Sequence, residues 1–288
     1  MTGQRLRLLV VEGNTRESCR ELAANGAVVG AELYRRVLRT VVPDAAIDIV
    51  HPADADGGLP TGTGLGGYDG VVVSGSGLHV YDDDPAVTRQ IDLARAVLNA
   101  GVPFFGSCWA LHIAVVAAGG TVRASPRGRE MGFARKIALT EQGRHHPLFE
   151  GRSDVFDSFA IHFDEVTHVP PGSVVLAANG HSAVQALSMT FNGGEFWGLQ
   201  YHPEYDLPQM AGLIVRFLDF MVENGFYADR RAALAHVELL KALDADPGRR
   251  DLAWLLGIDD DILDERLRYR EIGNWLTRMV LPGVAARH

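Results

Sequence analysis

Short, continuously apolar runs alternate with helical patterns along the first part of the chain. The runs are typical of strands buried on both faces. The segments between them carry apolar residues three and four positions apart, with Pro85 near the start of one. Strands that alternate with helices predict a parallel sheet covered on both sides. The predicted strands are residues 6–12, 46–50, 70–74 and 102–105, and the predicted helices are residues 27–40 and 85–100.

The pattern changes after a further helix that begins near Trp109. Short apolar segments separated by turns follow, with no helices between them, which predicts antiparallel strands added to one edge of the parallel sheet. An amphipathic helix is then predicted over residues 207–224. The predicted antiparallel strands are residues 121–124, 134–139, 155–162, 174–178, 183–189 and 196–201.

The composition shifts near residue 225, where Arg, Asp, Leu and Ala begin to dominate two or three helical segments. We therefore divide the chain into a main domain, residues 1–224, and a helical C-terminal extension, residues 225–288, packed on the main domain or on a partner. The predicted fold is of the α/β class. It is an open, mostly parallel sheet with helices on both faces, an antiparallel edge extension and C-terminal helices.

The overall composition is that of an ordinary globular protein, with 288 residues, 47% hydrophobic and 22% charged. The net charge of −9 argues against nucleic acid or an anionic membrane as a partner. Two cysteines, Cys19 and Cys108, give no disulfide framework and suit a reducing compartment. The chain runs directly into a short strand and has no apolar stretch of membrane-spanning length, so a cytoplasmic location is expected.

Cys108 lies where a predicted strand turns directly into a helix, in the stretch FFGSCWALH (residues 104–112). Such a turn is a nucleophile elbow, which presents one side chain above the edge of a sheet. The free N–H groups and the dipole at a helix N-terminus favour a thiolate. The alternative interpretation is an inert, buried thiol. The choice depends on whether the chain supplies a base and an oxyanion site.

His202 and Glu204 lie two residues apart in GLQYHPE (residues 198–204), at the end of a predicted strand. On a strand, residues two apart point to the same side, so the carboxylate can bind one imidazole nitrogen. The other nitrogen is then left to accept the Cys108 proton.

Two segments are predicted to supply the oxyanion hole. The backbone N–H of Trp109 follows the nucleophile and is one natural donor. The loop SGSG (residues 74–77) ends the preceding parallel strand and can deliver another N–H, from Ser76, at the same sheet edge.

Taken together, these motifs resemble the class I glutamine amidotransferases, the family that includes the amidotransferase part of GMP synthase. They occur in the family's order and spacing across roughly residues 5–222. The matching pieces are SGSG (74–77) with VYD (80–82), the elbow around Cys108, EMG (130–132), HFDEV (162–166) and residues 198–204.

The resemblance implies a flavodoxin-like fold and an amidohydrolase with a cysteine nucleophile. Cys108 is expected to attack a γ-carboxamide and form a thioester. His202 is expected to protonate the departing ammonia or amine and then to activate water, with Glu204 orienting the imidazole.

The resemblance also implies where the amino acid end of the substrate is held. The backbone near Ile161, Phe163 and Asp164 is expected to bind it, with Gly75 and Gly77 of the oxyanion loop beside it.

The recognition residues depart from the family pattern. Ala110 replaces the usual Gly, and His112 replaces a Gln that contacts the α-groups of glutamine. Ile161 and Ser76 also stand where the family commonly has Ser and Gly. His112 is one helical turn beyond Cys108, so it is either a specificity residue or a packing histidine.

No cofactor or metal is expected. The segment GTGLGG (residues 62–67) fits the G-x-G-x-x-G pattern of dinucleotide-binding loops. It precedes a predicted strand, whereas a dinucleotide-binding loop follows one. His145-His146 have no further ligand at metal-binding spacing.

Three functions remain open at this point. A glutaminase would release ammonia for a separate synthetase or ligase partner, because no ATP-binding half is evident in the chain. A stand-alone hydrolase would act on small γ-glutamyl amides in amine catabolism. A non-catalytic regulatory or binding module is the third possibility, and the intact Cys-His-Glu set argues against it.

Overall fold

A computed structural model describes residues 5–286 of the chain. Within this range the strands are β1 (Arg7–Val11), β2 (Ala46–Val50), β3 (Gly70–Val73), β4 (Phe104–Ser107), β5 (Thr121–Ala124), β6 (Glu130–Leu139), β7 (Val155–His162), β8 (Asp164–His168), β9 (Ser173–Ala178), β10 (Ala186–Phe191) and β11 (Gly194–Leu199). The helices are α1 (Arg16–Ala24), α2 (Gly30–Val41), α3 (Pro85–Ala100), α4 (Trp109–Ala117), α5 (Glu141–His145), α6 (Leu207–Arg216), α7 (Leu218–Glu223), α8 (Arg230–Ala245), α9 (Arg250–Leu256), α10 (Asp260–Leu263), α11 (Glu265–Arg268), α12 (Arg270–Trp275) and α13 (Leu281–Ala286).

A nine-stranded sheet with the order β2-β1-β3-β4-β11-β10-β9-β6-β7 forms the centre of the molecule. Strands β2, β1, β3, β4 and β11 pair in parallel. From β11 onwards every pairing is antiparallel. The predicted mostly parallel sheet with an antiparallel extension is therefore confirmed, and β5 and β8 form a separate antiparallel pair.

The parallel strands are buried on both faces because their side chains alternate between two apolar clusters. Leu8 and Val10 of β1 join the cluster on one face, where α2 and the C-terminal α12 cover the sheet. Leu9 and Val11 join the cluster on the other face, beneath α3 and α4. Helices on both faces leave the carboxyl ends of β1, β3, β4 and β11 together at one edge, where ligands bind in open sheets.

The structure differs from the predicted elements in four places, the first of which is strand β8, which was not predicted. α1 was not predicted, although Thr15 caps it by accepting a hydrogen bond from the N–H of Ser18 at 3.2 Å. The short helix α5 interrupts a region predicted to hold only strands. The single helix predicted over residues 207–224 is two helices, α6 and α7, that meet at Phe217.

The C-terminal helices complete the core on one face of the sheet. Ile272, Trp275, Leu276 and Val280 are fully buried in the same cluster as β1 and α2. A Cβ at Gly70 of β3 would lie 2.9 Å from the ring of Trp275, so this glycine permits the close approach. Residues 272–280 therefore pack on the sheet, and α8 packs on α6. The division at residue 224 stays a prediction, and residues 1–4 and 287–288 lie outside the described range.

Among residues 5–286, no helix combines the length and the apolar character that a bilayer span requires.

Candidate active site

Cys108 joins β4 directly to α4 and has an unusual backbone conformation, with φ +52° and ψ −96°. A positive φ in a non-glycine residue is strained and is found where the surrounding structure enforces it. The turn is tight, because a Cβ at Gly106 would lie 2.3 Å from the Val73 carbonyl oxygen. The thiol is 5% exposed and faces a cavity. This is the nucleophile-elbow geometry that the sequence predicts.

His202 and Glu204 lie beside the elbow because β11 is the parallel neighbour of β4. The Cys108 N–H donates to the Leu199 carbonyl at 2.7 Å, which ties the two strand ends together. Nδ1 of His202 lies 2.7 Å from Oε1 of Glu204, and both residues are 1% exposed. The carboxylate acceptor selects the tautomer with the proton on Nδ1. Nε2 has no hydrogen-bond partner within residues 5–286.

His202 and Glu204 do not meet on one face of a strand, although the sequence predicts that they do. β11 ends at Leu199, so His202 and Glu204 lie in the turn after the strand and not on one face of it. The His202 N–H donates to the Phe159 carbonyl at 2.8 Å, which holds this turn against β7.

The imidazole of His202 is held by a ring stack and by a close backbone contact. The Tyr205 ring stacks on its face, with centroids 4.0 Å apart and an interplanar angle of 11°. At the ring edge, a Cβ at Gly75 would lie 2.7 Å from Cε1 of His202. Tyr205 is a site residue that the sequence reasoning missed, and its place directly after the HPE motif is the signal that could have found it.

A buried chain of hydroxyl groups supports Glu204. Ser107 Oγ donates to Glu204 Oε1 at 2.8 Å, and Tyr34 OH donates to Ser107 Oγ at 2.9 Å. Burial raises the pKa of Tyr34 well above its ordinary value, so this phenol remains a donor. The sequence reasoning missed both hydroxyl residues, since Tyr34 comes from the distant helix α2.

A cavity of about 270 Å³ opens onto Cys108. Of the residues predicted for the site, its wall includes Cys108, His202, Gly75, Ser76, Gly77 and Ile161. Trp109, His112, Phe163 and Asp164 do not form part of this wall. The remaining wall residues are Asn14, Thr15, Ser18, Leu22, Val28, Gly30, Leu78, Arg129, Tyr205, Gln209, Leu213, Arg216 and Phe217.

Burial decides the protonation of the Cys108 thiol. Desolvation raises the pKa of the Cys108 thiol to about 12, and the charges of Asp164 and Glu204 act in the same direction. The expectation that the helix N-terminus favours a resting thiolate is therefore wrong for the unliganded site, because desolvation outweighs the dipole. Sγ lies 3.8 Å from the Ile161 carbonyl oxygen, which accepts from the thiol.

His112 is buried against β11 instead of lining the cavity. Its Nε2 lies 2.9 Å from Gln200 Oε1, and the residue is 3% exposed. Burial lowers the pKa of His112 to about 4, so the imidazole is neutral near pH 7. This position supports the packing interpretation over the specificity interpretation.

Asp164 is also engaged away from the cavity wall. Its carboxylate accepts from Tyr81 OH at 2.8 Å and lies 2.7 Å from Nδ1 of His79. The VYD motif, here carried by Tyr81, thus meets the HFDEV motif in space. Phe163 contacts the same group edge-on, with its ring centroid 6.0 Å from that of His79.

Arg129 is a cavity residue that the sequence reasoning missed. It is half-buried, its Nε has no hydrogen-bond partner within residues 5–286, and burial lowers the pKa of its guanidinium. Aromatic rings surround its guanidinium carbon, with the centroids of Phe220, Phe217 and Phe163 at 4.9, 5.7 and 5.8 Å. An unpaired cation in a cavity beside Cys108 can bind an anionic group.

Across the described range, no group of three or more His, Cys, Asp or Glu side chains is arranged to hold a metal ion.

Comparison with known families and curated proteins gives a consistent result. The sequence model of the family "Glutamine amidotransferase class-I" matches residues 40–218. A gamma-glutamyl-L-1-hydroxyisopropylamide hydrolase from a Pseudomonas species is 35% identical over 289 residues, which cover 97% of this chain and 95% of that protein. A GMP synthase from Thermomicrobium roseum is 30% identical over 72% of this chain but only 37% of its own length. Gamma-glutamyl peptidase 3 of Arabidopsis thaliana is 26% identical over 61% of this chain and 70% of its own length.

Solved structures show the same fold. A glutamine amidotransferase from Thermotoga maritima has a TM-score of 0.68 at 18% identity, over 96% of this chain and 99% of that one.

Proposed function

This chain belongs to the class-I glutamine amidotransferases, a family of cysteine-dependent amidohydrolases, and on that premise we propose that it is a stand-alone hydrolase of small γ-glutamyl amides. The observation that carries the proposal is the cavity beside Cys108, whose wall includes the apolar side chains of Leu22, Val28 and Leu213. The likeness to the Pseudomonas hydrolase supports it, since the two proteins match over nearly their whole lengths.

Cys108, His202 and Glu204 are the proposed catalytic residues. As Sγ attacks the γ-carbonyl carbon, its proton passes to Nε2 of His202, and the backbone N–H groups of Ser76 and Trp109 stabilise the oxyanion. The imidazolium, held by Glu204, then gives that proton to the leaving amine nitrogen as the C–N bond breaks. Water, deprotonated by His202, hydrolyses the thioester to glutamate.

Proton transfer coupled to attack fits the raised pKa of Cys108. At neutral pH the buried thiol is protonated before substrate enters. A base with a free nitrogen is therefore needed at the moment of attack, and Nε2 of His202 is such a base.

The apolar wall favours a substituted amine over ammonia as the leaving group. Leu22 and Leu213 belong to one buried cluster with Tyr205, whose ring stacks on His202, and Val28 packs against that cluster. The leaving nitrogen must lie on this side to receive its proton from His202. These side chains form no hydrogen bond with ammonia, but they would bury an alkyl group. Burial stabilises the bound state by about 0.8 kcal/mol per methylene.

Arg129 is the proposed partner of the substrate's α-carboxylate. The guanidinium packs over the ring of Phe163, next to the backbone predicted to hold the amino acid end. The cavity of about 270 Å³ is at the small end of ligand sites, which suits a single amino acid derivative.

The test is a panel of substrates incubated with the purified protein alone. Glutamate release should be at least ~10-fold faster, as kcat/KM, for a γ-glutamyl amide of a small alkylamine than for glutamine, because the alkyl group is buried beside His202. Cys108→Ala should abolish release, and Cys19→Ala, at the other buried cysteine, should leave it unchanged. Glutamine turnover that exceeds every substituted amide, or that needs a synthetase present, would instead identify an ammonia-supplying glutaminase.

A further inference from the structure

The turn that follows β1 is built on a buried carboxylate. Glu12 is fully buried, and its Oε2 accepts the Ala31 N–H at 2.7 Å. Its Oε1 accepts both the backbone N–H and the side-chain Nδ2 of Asn14, at 3.0 and 2.9 Å. These bonds fix the position of the Asn14 amide, which is itself 8% exposed.

Asn14 binds the oxyanion loop on both sides of Ser76. Its Nδ2 donates to the Gly75 carbonyl at 3.2 Å, and its Oδ1 accepts the Gly77 N–H at 3.2 Å. Because Asn14 occupies the Gly77 N–H, that group does not donate to an oxyanion, and Ser76 remains the proposed donor of this loop.

The same turn reaches the second donor segment through Gln90 of α3. The Trp109 indole Nε1 donates to Gln90 Oε1 at 2.8 Å, and Gln90 Nε2 donates to the Gly13 carbonyl at 3.1 Å. Gly13 lies directly between the two segments. A Cβ there would be 2.9 Å from the Gly75 carbonyl oxygen and 2.9 Å from Cδ1 of Trp109.

We propose that Gly13, Asn14 and Gln90 form a clamp that sets the spacing of the two oxyanion donors, the backbone N–H groups of Ser76 and Trp109. The inference rests on the proposed function for the identity of those donors. The clamp residues are positioning residues, because they act through the loop and the elbow. The competing interpretation is that Asn14 and Gln90 only satisfy buried polar groups and contribute stability.

The first test compares two reactions of Cys108 in Asn14→Ala. Acylation is followed as the burst of p-nitroaniline from γ-glutamyl-p-nitroanilide, and alkylation is followed with iodoacetamide, which forms no oxyanion. A misplaced donor should slow acylation on the order of 10²-fold. Alkylation and the melting temperature should stay near those of the control, Asn99→Ala, which removes an exposed amide hydrogen bond from α3. Parallel losses in both reactions would overturn the clamp in favour of a stability role.

The second test does not depend on activity. Hydrogen–deuterium exchange in residues 74–78 should rise in Asn14→Ala and stay at the wild-type level in Asn99→Ala. Unchanged exchange in this loop overturns the clamp even if activity falls. If wild-type Cys108 is alkylated but never acylated, the proposed function fails, and the exchange result still decides whether Asn14 orders the loop.

Gln90→Met probes the Trp109 side without touching the oxyanion loop directly. It should slow acylation while alkylation is preserved. The double variant Asn14→Ala/Gln90→Met should be less impaired than the product of the two single effects, because both act on one spacing. Fully multiplicative losses would show two independent contributions and would overturn the single clamp.

Discussion

The guanidinium of Arg129 is half-buried, and among residues 5–286 no carboxylate forms an ion pair with it. Desolvation without a partner costs free energy, which a substrate anion would recover on binding. Phe163, Phe217 and Phe220 around the guanidinium keep it in place.

Arg129→Gln should therefore weaken substrate binding more than it slows the chemistry. A hydrogen bond to a charged group contributes about 2 kcal/mol, so KM should rise roughly 30-fold with kcat nearly kept. Steady-state kinetics on a γ-glutamyl amide measure both. The control is Arg127→Gln, two residues away on the surface, whose KM should equal that of wild type. A fall in kcat at constant KM would argue against carboxylate binding.

His112 connects the site to the pH dependence of stability. Burial lowers its pKa from 6.5 to about 4, so as the pH falls the unfolded chain binds this proton before the folded protein does. Stability is therefore complete above about pH 6.5 and is lost progressively towards pH 4. At pH 5 the loss from this one group is on the order of 2 kcal/mol.

Urea unfolding of wild type and His112→Gln at pH 7 and pH 5 tests this effect. The variant should lose less stability between the two values, although His146, whose pKa burial also lowers to about 4, keeps part of the dependence. Because His112 lies off the cavity wall, His112→Gln should show the same preference among amide substrates as the wild type. His168→Gln, at an exposed position, is the control. A variant that gains glutamine turnover would restore the specificity interpretation.

At the scale of elements, the site depends on loops that follow neighbouring parallel strands. β3 ends in the oxyanion loop, β4 in the elbow, and β11 in the turn that carries His202. Each loop is placed by strand pairing, so backbone close contacts contribute to the distances between the proposed catalytic groups.

Gly75→Ala tests this dependence on close contacts. The new methyl group would lie 2.7 Å from Cε1 of His202, and moving the imidazole away would disturb its stack on Tyr205 and its contact with Glu204. We expect kcat to fall on the order of 10²-fold while the far-UV circular dichroism spectrum is unchanged. Gly58→Ala, where a Cβ meets nothing within 4 Å, should retain full activity. Activity equal to that of Gly58→Ala would mean that His202 has room to move.

At the scale of the whole molecule, the C-terminal helices support the strands that precede the proposed catalytic residues. Trp275 stacks on Phe105 of β4, with ring centroids 5.6 Å apart. Glu271 accepts from Tyr201 OH at 2.8 Å, directly before His202. Residues 270–280 thus contact β4, which precedes Cys108, and the turn after β11, which carries His202.

Trp275→Ala should destabilise the whole protein by about 3–5 kcal/mol, because a fully buried indole is replaced by a cavity. Trp254→Ala is the matched control. That indole is 80% exposed, so its removal should change stability by no more than about 0.5 kcal/mol. Guanidinium unfolding curves give both values. Equal effects would mean that the C-terminal helices do not share the core.

Local order along the chain already determined the elbow at Cys108, the pairing of His202 with Glu204 and the mostly parallel sheet. These features depend on turns, short spacings and apolar runs that involve only a few neighbouring residues, so they can be predicted from the sequence. The break at Phe217 and the helix α1 were missed, although Thr15 carries the cap signal of α1.

Only the tertiary structure decided which distant residues share the site. Asn14, Tyr34 and Arg129 lie in separate segments of the chain, and the local sequence of each gives no sign of a role in the site. They meet because parallel pairing and the helices packed on it bring the strand ends to one edge, and burial then fixes their hydrogen bonds and charges. Burial also reversed the expected thiolate at Cys108, since desolvation depends on everything packed around a group and not on its neighbours in the chain.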